Sequence, residues 1–173
     1  MATHRRSVIV SILFIVLGGP GILLVYLPLW LTHFRIPAGE PFWQEFIAGA
    51  LIVAGLMPLL ESVLRFINLG RGTLAPTTPT EDLVVSGLYR YVRNPMYVGV
   101  MTTLLGEALL FRNLGLVIEA AIAALGIQLF VCFYEEPTLA KQHPRDYPRY
   151  KQNVPRWLPR LTPWEDPGVD TEH

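Results

Sequence analysis

The sequence predicts an all-α integral membrane protein: a bundle of four transmembrane helices, the last two an antiparallel hairpin, with a cytoplasmic C-terminal segment lying at the interface. Three observations carry this. Hydrophobic residues make up 51% of the 173-residue chain and charged residues 16%, a balance that belongs to a membrane domain rather than a soluble one. Four apolar runs approach or exceed the roughly 20 helical residues that a bilayer core demands. The basic residues outside or at the ends of those runs divide unevenly. Arg5, Arg6, Arg65, Arg71, Arg90, Arg93, Lys141, Arg145, Arg149, Lys151, Arg156 and Arg160 fall on one side, against Arg35 and Arg112 on the other. By the positive-inside rule this multi-pass chain has both termini in the cytoplasm.

The first span is residues 7–31, long enough to cross with some tilt. His4, Arg5 and Arg6 before it resemble the start of a signal peptide, but the apolar run is too long and no convincing cleavage site follows. Gly18-Gly19-Pro20-Gly21 predicts a kink within it, which neighbouring helices can accommodate in a bilayer. The second span, residues 42–67, contains Pro58 and an i,i+4 pair, Glu61 and Arg65, read first as a structural ion pair. Residues 68–94 form a cytoplasmic loop that begins Gly-, Thr- and Pro-rich.

The third span, residues 95–111, is short at roughly 25 Å. Gly99, Thr103 and Gly106 share one of its faces, which predicts close helix packing. Arg112-Asn113 makes a tight turn into the fourth span, residues 114–134, where Ala120, Ala123, Ala124 and Ile127 give a matching smooth face. Glu107 and Glu119 lie near that turn. An intramembrane carboxyl is a functional candidate by default, although both are close enough to the far interface for water to reach them. Cys132 is the single cysteine, so no intramolecular disulfide is available, and a buried structural thiol is its simplest role. His4 and His143 have no partner at metal-ligand spacing, so no metal site is expected, and no nucleic-acid partner either.

Chemistry concentrates at the start of the third span. Asn94-Pro95 is a helix start, with a good N-cap and a proline where its missing N–H costs nothing. Tyr89, Arg90, Tyr91 and Arg93 precede it, placing aromatic faces, two cations and the positive end of a helix dipole at a water–lipid boundary. The plain alternative is an aromatic and basic membrane anchor. Because a two-residue turn joins the last two spans, Glu135-Glu136 at the end of the fourth must return to the level of residues 89–94. Two carboxylates there either mark the membrane edge or complete a polar pocket. The tail, residues 135–173, continues with Tyr147, Tyr150 and Val154-Pro155-Arg156-Trp157, a mixed aromatic and basic segment suited to the interface.

Ser86-Gly87-Leu88-Tyr89, Arg93-Asn94-Pro95-Met96-Tyr97-Val98-Gly99 and Glu135-Glu136, with Leu139, Tyr147, Tyr150 and Val154-Pro155, resemble the integral-membrane methyltransferases of the isoprenylcysteine carboxyl methyltransferase and phospholipid methyltransferase type. The resemblance covers residues 74–160 and implies S-adenosylmethionine bound at the cytoplasmic end of the last helix pair. It implies cofactor contacts from Leu83, Val84, Tyr89, Asn94, Pro95 and Tyr97, with Arg93 suited to the cofactor's carboxylate. Glu135 would face the methyl-accepting end of a lipophilic, membrane-borne substrate, with Glu136 beside it as a second catalytic candidate. Asn94 stands where many members have His, and Val131 where the prenylcysteine enzymes have Arg. The acceptor is thus left open between O- and N-methylation.

Two rivals belong to other classes. NADPH-dependent sterol-type membrane reductases share an Arg-x-Pro-x-Tyr helix start, but often carry an acidic residue where this chain has Val100. A non-catalytic membrane scaffold would bind no cofactor and tolerate change at Tyr97 and Glu135.

Overall fold

The computed structural model describes residues 19–33, 35–37, 41–69, 83 and 85–165, and of residues 63 and 65–69 the backbone alone. The expectations for residues 7–18, the Glu61–Arg65 pairing, Val84 and most of the 68–94 loop lie outside the described residues, as do residues 166–173.

Regular structure is helical throughout, with no strand among the described residues. Helix α1 is Gly19–Thr32, α2 Phe42–Leu69, α3 Pro95–Phe111, α4 Leu114–Gln142 and α5 Asp146–Asn153. Two segments, Phe42–Ser62 within α2 and Leu114–Gln142, are long and apolar enough to cross a membrane, while Gly19–Thr32 and Pro95–Phe111 are shorter apolar helices. Gly19, Pro20 and Gly21 are helical, and the irregularity expected near them is a wide π turn at Ile22–Tyr26. Pro58 is accommodated inside α2 without ending it.

The fourth helix is longer than residues 114–134. Its α-helical part, Leu114–Phe130, opens into a π turn at Val131–Glu135 and resumes as Glu136–Gln142. Glu135 and Glu136 are therefore helical residues. Asn113 caps the start of α4, its side chain accepting from Gly115 N at 2.7 Å, while Arg112 takes the left-handed conformation that closes α3.

Small residues decide which helices touch most closely. A Cβ added to Gly99 would meet Gly55 O at 2.5 Å, and one added to Gly106 would meet Ala48 O at 2.9 Å. The Gly99, Thr103 and Gly106 face of α3 therefore packs on α2, with Gly55 as its counterpart. The smooth face of α4 contributes Ala120 and Ala123 to a separate apolar cluster with Leu59, Val100 and Leu104, against which Leu23 and Leu24 of α1 pack. Residue pairing along α2 and α3 runs in opposite directions, 55 against 99 and 48 against 106. Phe42 and Arg112 thus share one end of the bundle, where Arg112 donates to Gln44 Oε1.

A second, smaller core sits beyond the other end. Tyr147 and Tyr150 on one face of α5, with Val154 and Trp164, are buried together, and Leu83, Val85, Leu139 and Ala140 pack around them. The i, i+3 spacing of the two tyrosines places both rings inward on a helix whose other residues, Pro148 apart, are polar. The segment after α5 then returns to the turn before α3. Arg93 N donates to Pro155 O at 2.9 Å, Arg160 N to Tyr91 O at 2.9 Å and Trp164 N to Arg90 O at 2.9 Å.

Candidate active site at the start of the third helix

Helix α3 begins at Pro95, which is fully buried, and Asn94 occupies the N-cap position. Its side chain does not cap the helix, contrary to the usual use of Asn there. Asn94 Nδ2 donates instead to Arg156 O at 3.1 Å, so the residue ties the helix start to the tail. Just upstream, Gly87–Arg90 forms a 3-10 turn with Gly87 at a φ of 54°, and the carbonyl of Tyr89 accepts from Tyr150 Oη at 2.7 Å. The Tyr89 backbone is held in place by the small tail core.

Successive helical residues point about 100° apart, so two adjacent carboxylates set out toward different neighbours. Here they serve opposite ones. Glu135 faces α3, its Oε2 accepting from Tyr97 Oη at 3.1 Å. Glu136 faces the tail and is 6% exposed, yet it is surrounded by cations. Arg93 Nη1 lies 2.9 Å from Glu136 Oε1, Arg156 Nε 2.6 Å from the same oxygen and Lys151 Nζ 2.8 Å from Oε2. A second Arg156 bond, Nη2 to Oε2 at 3.0 Å, makes that pair bidentate. The π turn that ends at Glu135 sets the faces on which both carboxylates project, and such local widenings are frequent at functional sites.

The surrounding groups follow from this charge. Glu136 holds the Arg156 guanidinium above its ordinary pKa. Burial pushes the Tyr147 phenol up to about 12, and the neighbouring Glu136 charge adds to it. Tyr150 is raised too, again chiefly by burial. Arg93 Nη1 also approaches Tyr147 Oη at 3.4 Å, while Arg93 Nε is buried without a hydrogen-bond partner.

Of the residues the sequence singled out, Arg93, Asn94, Pro95, Tyr97, Glu135 and Glu136 form one connected site. Tyr89 adjoins it through its backbone. Leu83 packs against the tail core, which joins the site through Tyr147. Sequence reasoning grouped Arg156 and Lys151 with the interfacial tail and missed their part here. The available signal was electrostatic: two adjacent carboxylates at an apolar boundary require cations, and the tail holds them. Also missed was a network beneath Glu136, in which Gln128 Nε2 and Arg156 Nη1 each donate to Cys132 Sγ at 3.1 Å. Trp157 Nε1 reaches Gln128 Oε1 at 2.9 Å. Cys132 is thus a half-buried acceptor rather than an apolar filler. Glu107 and Glu119 are both 8% exposed, and Glu107 Oε2 and both Glu119 carboxyl oxygens have no hydrogen-bond partner. They lie toward the Arg112 end, away from this site.

Among the described residues no group of three His, Cys, Asp or Glu side chains is placed to hold a metal ion. The arrangement defines a helical membrane protein with a charged, aromatic-lined site where two apolar helices end. The sequence profile of the phospholipid methyltransferase family matches residues 43–146, more than half of the chain, and the chain belongs to that family. It is a membrane methyltransferase. The match takes in α2, α3, α4 and both carboxylates; Lys151 and Arg156 lie beyond it. No curated protein and no solved structure matches the chain.

Proposed function

We propose that this methyltransferase uses S-adenosylmethionine and transfers its methyl group to a lipophilic acceptor, by O- or N-methylation, at the cytoplasmic ends of α3 and α4. In this reading the chain crosses the bilayer four times, with α3 and α4 as an antiparallel hairpin and residues 135–173 a segment on the cytoplasmic side that lies at the interface. The observation that carries the proposal is the Tyr97–Glu135 pair at 3.1 Å, set between apolar helices beside a fully neutralised Glu136.

Three features fit the cofactor. Glu135 and the faces of Tyr89 and Tyr97 suit a cationic sulfonium. Arg93 Nε is a buried donor with no protein partner, available to a carboxylate. Pro95 at the first helical position leaves the positive end of the α3 dipole facing the same place. Leu83, Val84 and Asn94 complete the proposed cofactor contacts, Asn94 by holding the Arg156 segment in register.

S-adenosylmethionine supplies a methyl group bonded to a positively charged sulfur. The chain contributes position and field. Glu135, oriented by the Tyr97 hydroxyl, places negative charge where the cation is held and can take the proton from an amine acceptor. Glu136 keeps Arg93 and Arg156 fixed, so that the Arg93 Nε–H is held in a constant orientation. An acceptor dissolved in the bilayer reaches the site between helices, where the surroundings are apolar.

The test is calorimetry on wild type and Glu135→Gln with S-adenosylmethionine, S-adenosylhomocysteine and NADPH. The product lacks the sulfonium charge, so the substitution should weaken donor binding more than product binding, by on the order of 1–3 kcal/mol. NADPH binding with no S-adenosylmethionine binding would replace this reading with a reductase. Binding of none of the three would favour a scaffold.

A further inference from the structure

Two leucines after α5 are left bare by the packing of the described residues. Leu158 is 80% exposed and Leu161 is 100% exposed. They do not sit on a loose end. The flanking backbone is fastened to the start of α3 through Pro155 O, Arg156 O and the N–H groups of Arg160 and Trp164. Two neighbouring apolar side chains held clear of the core by an anchored backbone, beside further exposed apolar residues, form a patch suited to an apolar environment.

The position of Trp157 indicates which one. Its indole donates to Gln128, seven residues before Glu135 and so about 10 Å further along α4 into the apolar helix. The ring therefore reaches well inside the level of the carboxylates, as an amphipathic aromatic does at a bilayer boundary. Over the same stretch of α4, Leu129 is 47% and Phe133 78% exposed, an apolar surface continuous in depth with the indole. Lys141, in the last turn of α4, and Arg145, just beyond it, are exposed cations past the Glu135 end of the same helix, and cations in such a position suit anionic head groups.

We propose that the turn at residues 157–161 is seated in the lipid leaflet at the Glu135 end of the bundle, with Leu158 and Leu161 among the acyl chains and Lys141 and Arg145 against anionic head groups. The occupant of this surface is lipid, not protein. Trp157 ties the turn to the apolar helix α4, whose neighbouring Leu129 and Phe133 are themselves exposed, and exposed cations follow at the end of that helix. The turn is thereby a third attachment of the site to the membrane, besides α3 and α4, and fixes the height of the Arg156–Glu136 pair relative to the bilayer.

The experiment places an environment-sensitive fluorophore at Leu158→Cys and, separately, at Leu161→Cys in the full chain. The host is a nanodisc of phosphatidylcholine and phosphatidylglycerol. Gln152→Cys, exposed on α5, is the aqueous control, and wild type, with its half-buried Cys132, is the labelling blank. The expected result is blue-shifted emission at 158 and 161, quenched by nitroxide-bearing lipid and spared by iodide, with the reverse at 152. Iodide quenching at 158 and 161 equal to that at 152 would overturn the proposal. So would shielding from both quenchers that is lost on dilution of the protein, since a second copy would then cover the leucines. Leu161→Asp should shift the label at 158 toward the aqueous pattern, and an unchanged label there would count against a shared seat in lipid.

Discussion

Glu136 is a carboxylate whose removal costs more than its pairing contributes. Burying one negative charge with Arg93, Arg156 and Lys151 is tolerable because each oxygen has more than one donor. Take the charge away and two guanidinium groups remain in a nearly closed site, Arg93 itself being 9% exposed at its side chain. Breaking such a pair is typically worth about 3–5 kcal/mol, most of it the stranded partner. Glu136→Gln should therefore loosen the tail core, red-shifting Trp164, which is 8% exposed beside Tyr150, while total helix content barely changes. Lys151→Gln should do far less, within about 1 kcal/mol, because its side chain is 48% exposed and solvent screens it. Equal effects from the two substitutions would show that the cluster is not organised around Glu136. That the two carboxylates differ at all could not be read from Glu135-Glu136 in sequence. Adjacent residues on a helix diverge in direction, and only the placement of Tyr97 and of the tail says which direction is which.

At the scale of elements, the small residues of α3 were legible and their partner was not. Gly99, Thr103 and Gly106 repeat at helical spacing, so their shared face follows from the sequence. The alanines of α4, next in the chain, made an attractive counterpart. Gly55 is one glycine in a long apolar run and carries no such signal. In the fold it is the residue that lets α2 and α3 approach, with Gly55 O 2.5 Å from the position of a Gly99 Cβ. Gly99→Ala must then push the helices apart at a backbone contact, which cannot yield as a side-chain tip can. The expected cost is about 1–3 kcal/mol. Gly49, on the same helix as Gly55, has nothing within 4 Å of where an added methyl group would stand, and Gly49→Ala should be neutral or raise stability by about 0.5–1 kcal/mol through helix propensity. Thermal unfolding in nanodiscs distinguishes them. A Gly99→Ala protein as stable as Gly49→Ala would mean that α2 and α3 are not in close backbone contact. The extension of α4 through Glu136–Gln142 was also illegible, because Glu135, Glu136 and Pro137 read as an end to an apolar span. Pro137 sits in the first turn of the resumed helix, where a missing N–H is tolerated, and the charges are covered by the tail.

For the whole molecule, orientation in the membrane is the property on which the proposed function turns, since the proposed donor, S-adenosylmethionine, would have to meet the Tyr97–Glu135 end on the cytoplasmic side. The ends of the helices differ in kind. At the end where α3 meets α4, Trp30, Phe42 and Trp43 are exposed near the helix termini, and the basic residues among the described ones are Arg35 and Arg112. Around Glu135 the basic residues gather: Arg93, Lys151 and Arg156 within the site, Lys141 and Arg145 exposed beside it. Acidic partners do not cancel this asymmetry, because topology responds to Lys and Arg rather than to net charge. The expected outcome is that a reporter active only outside the cytoplasm, fused after His173, stays silent, while the same reporter placed in the α3–α4 turn after Arg112 is active. The second fusion matters because α3 is short, at 17 residues and roughly 25 Å, and crosses only if the bilayer thins or flanking side chains reach up to the interface. Silence at both positions would mean that α3 and α4 do not pass through the membrane as a pair, and activity after His173 would place the proposed methyl-transfer site on the side that lacks the donor.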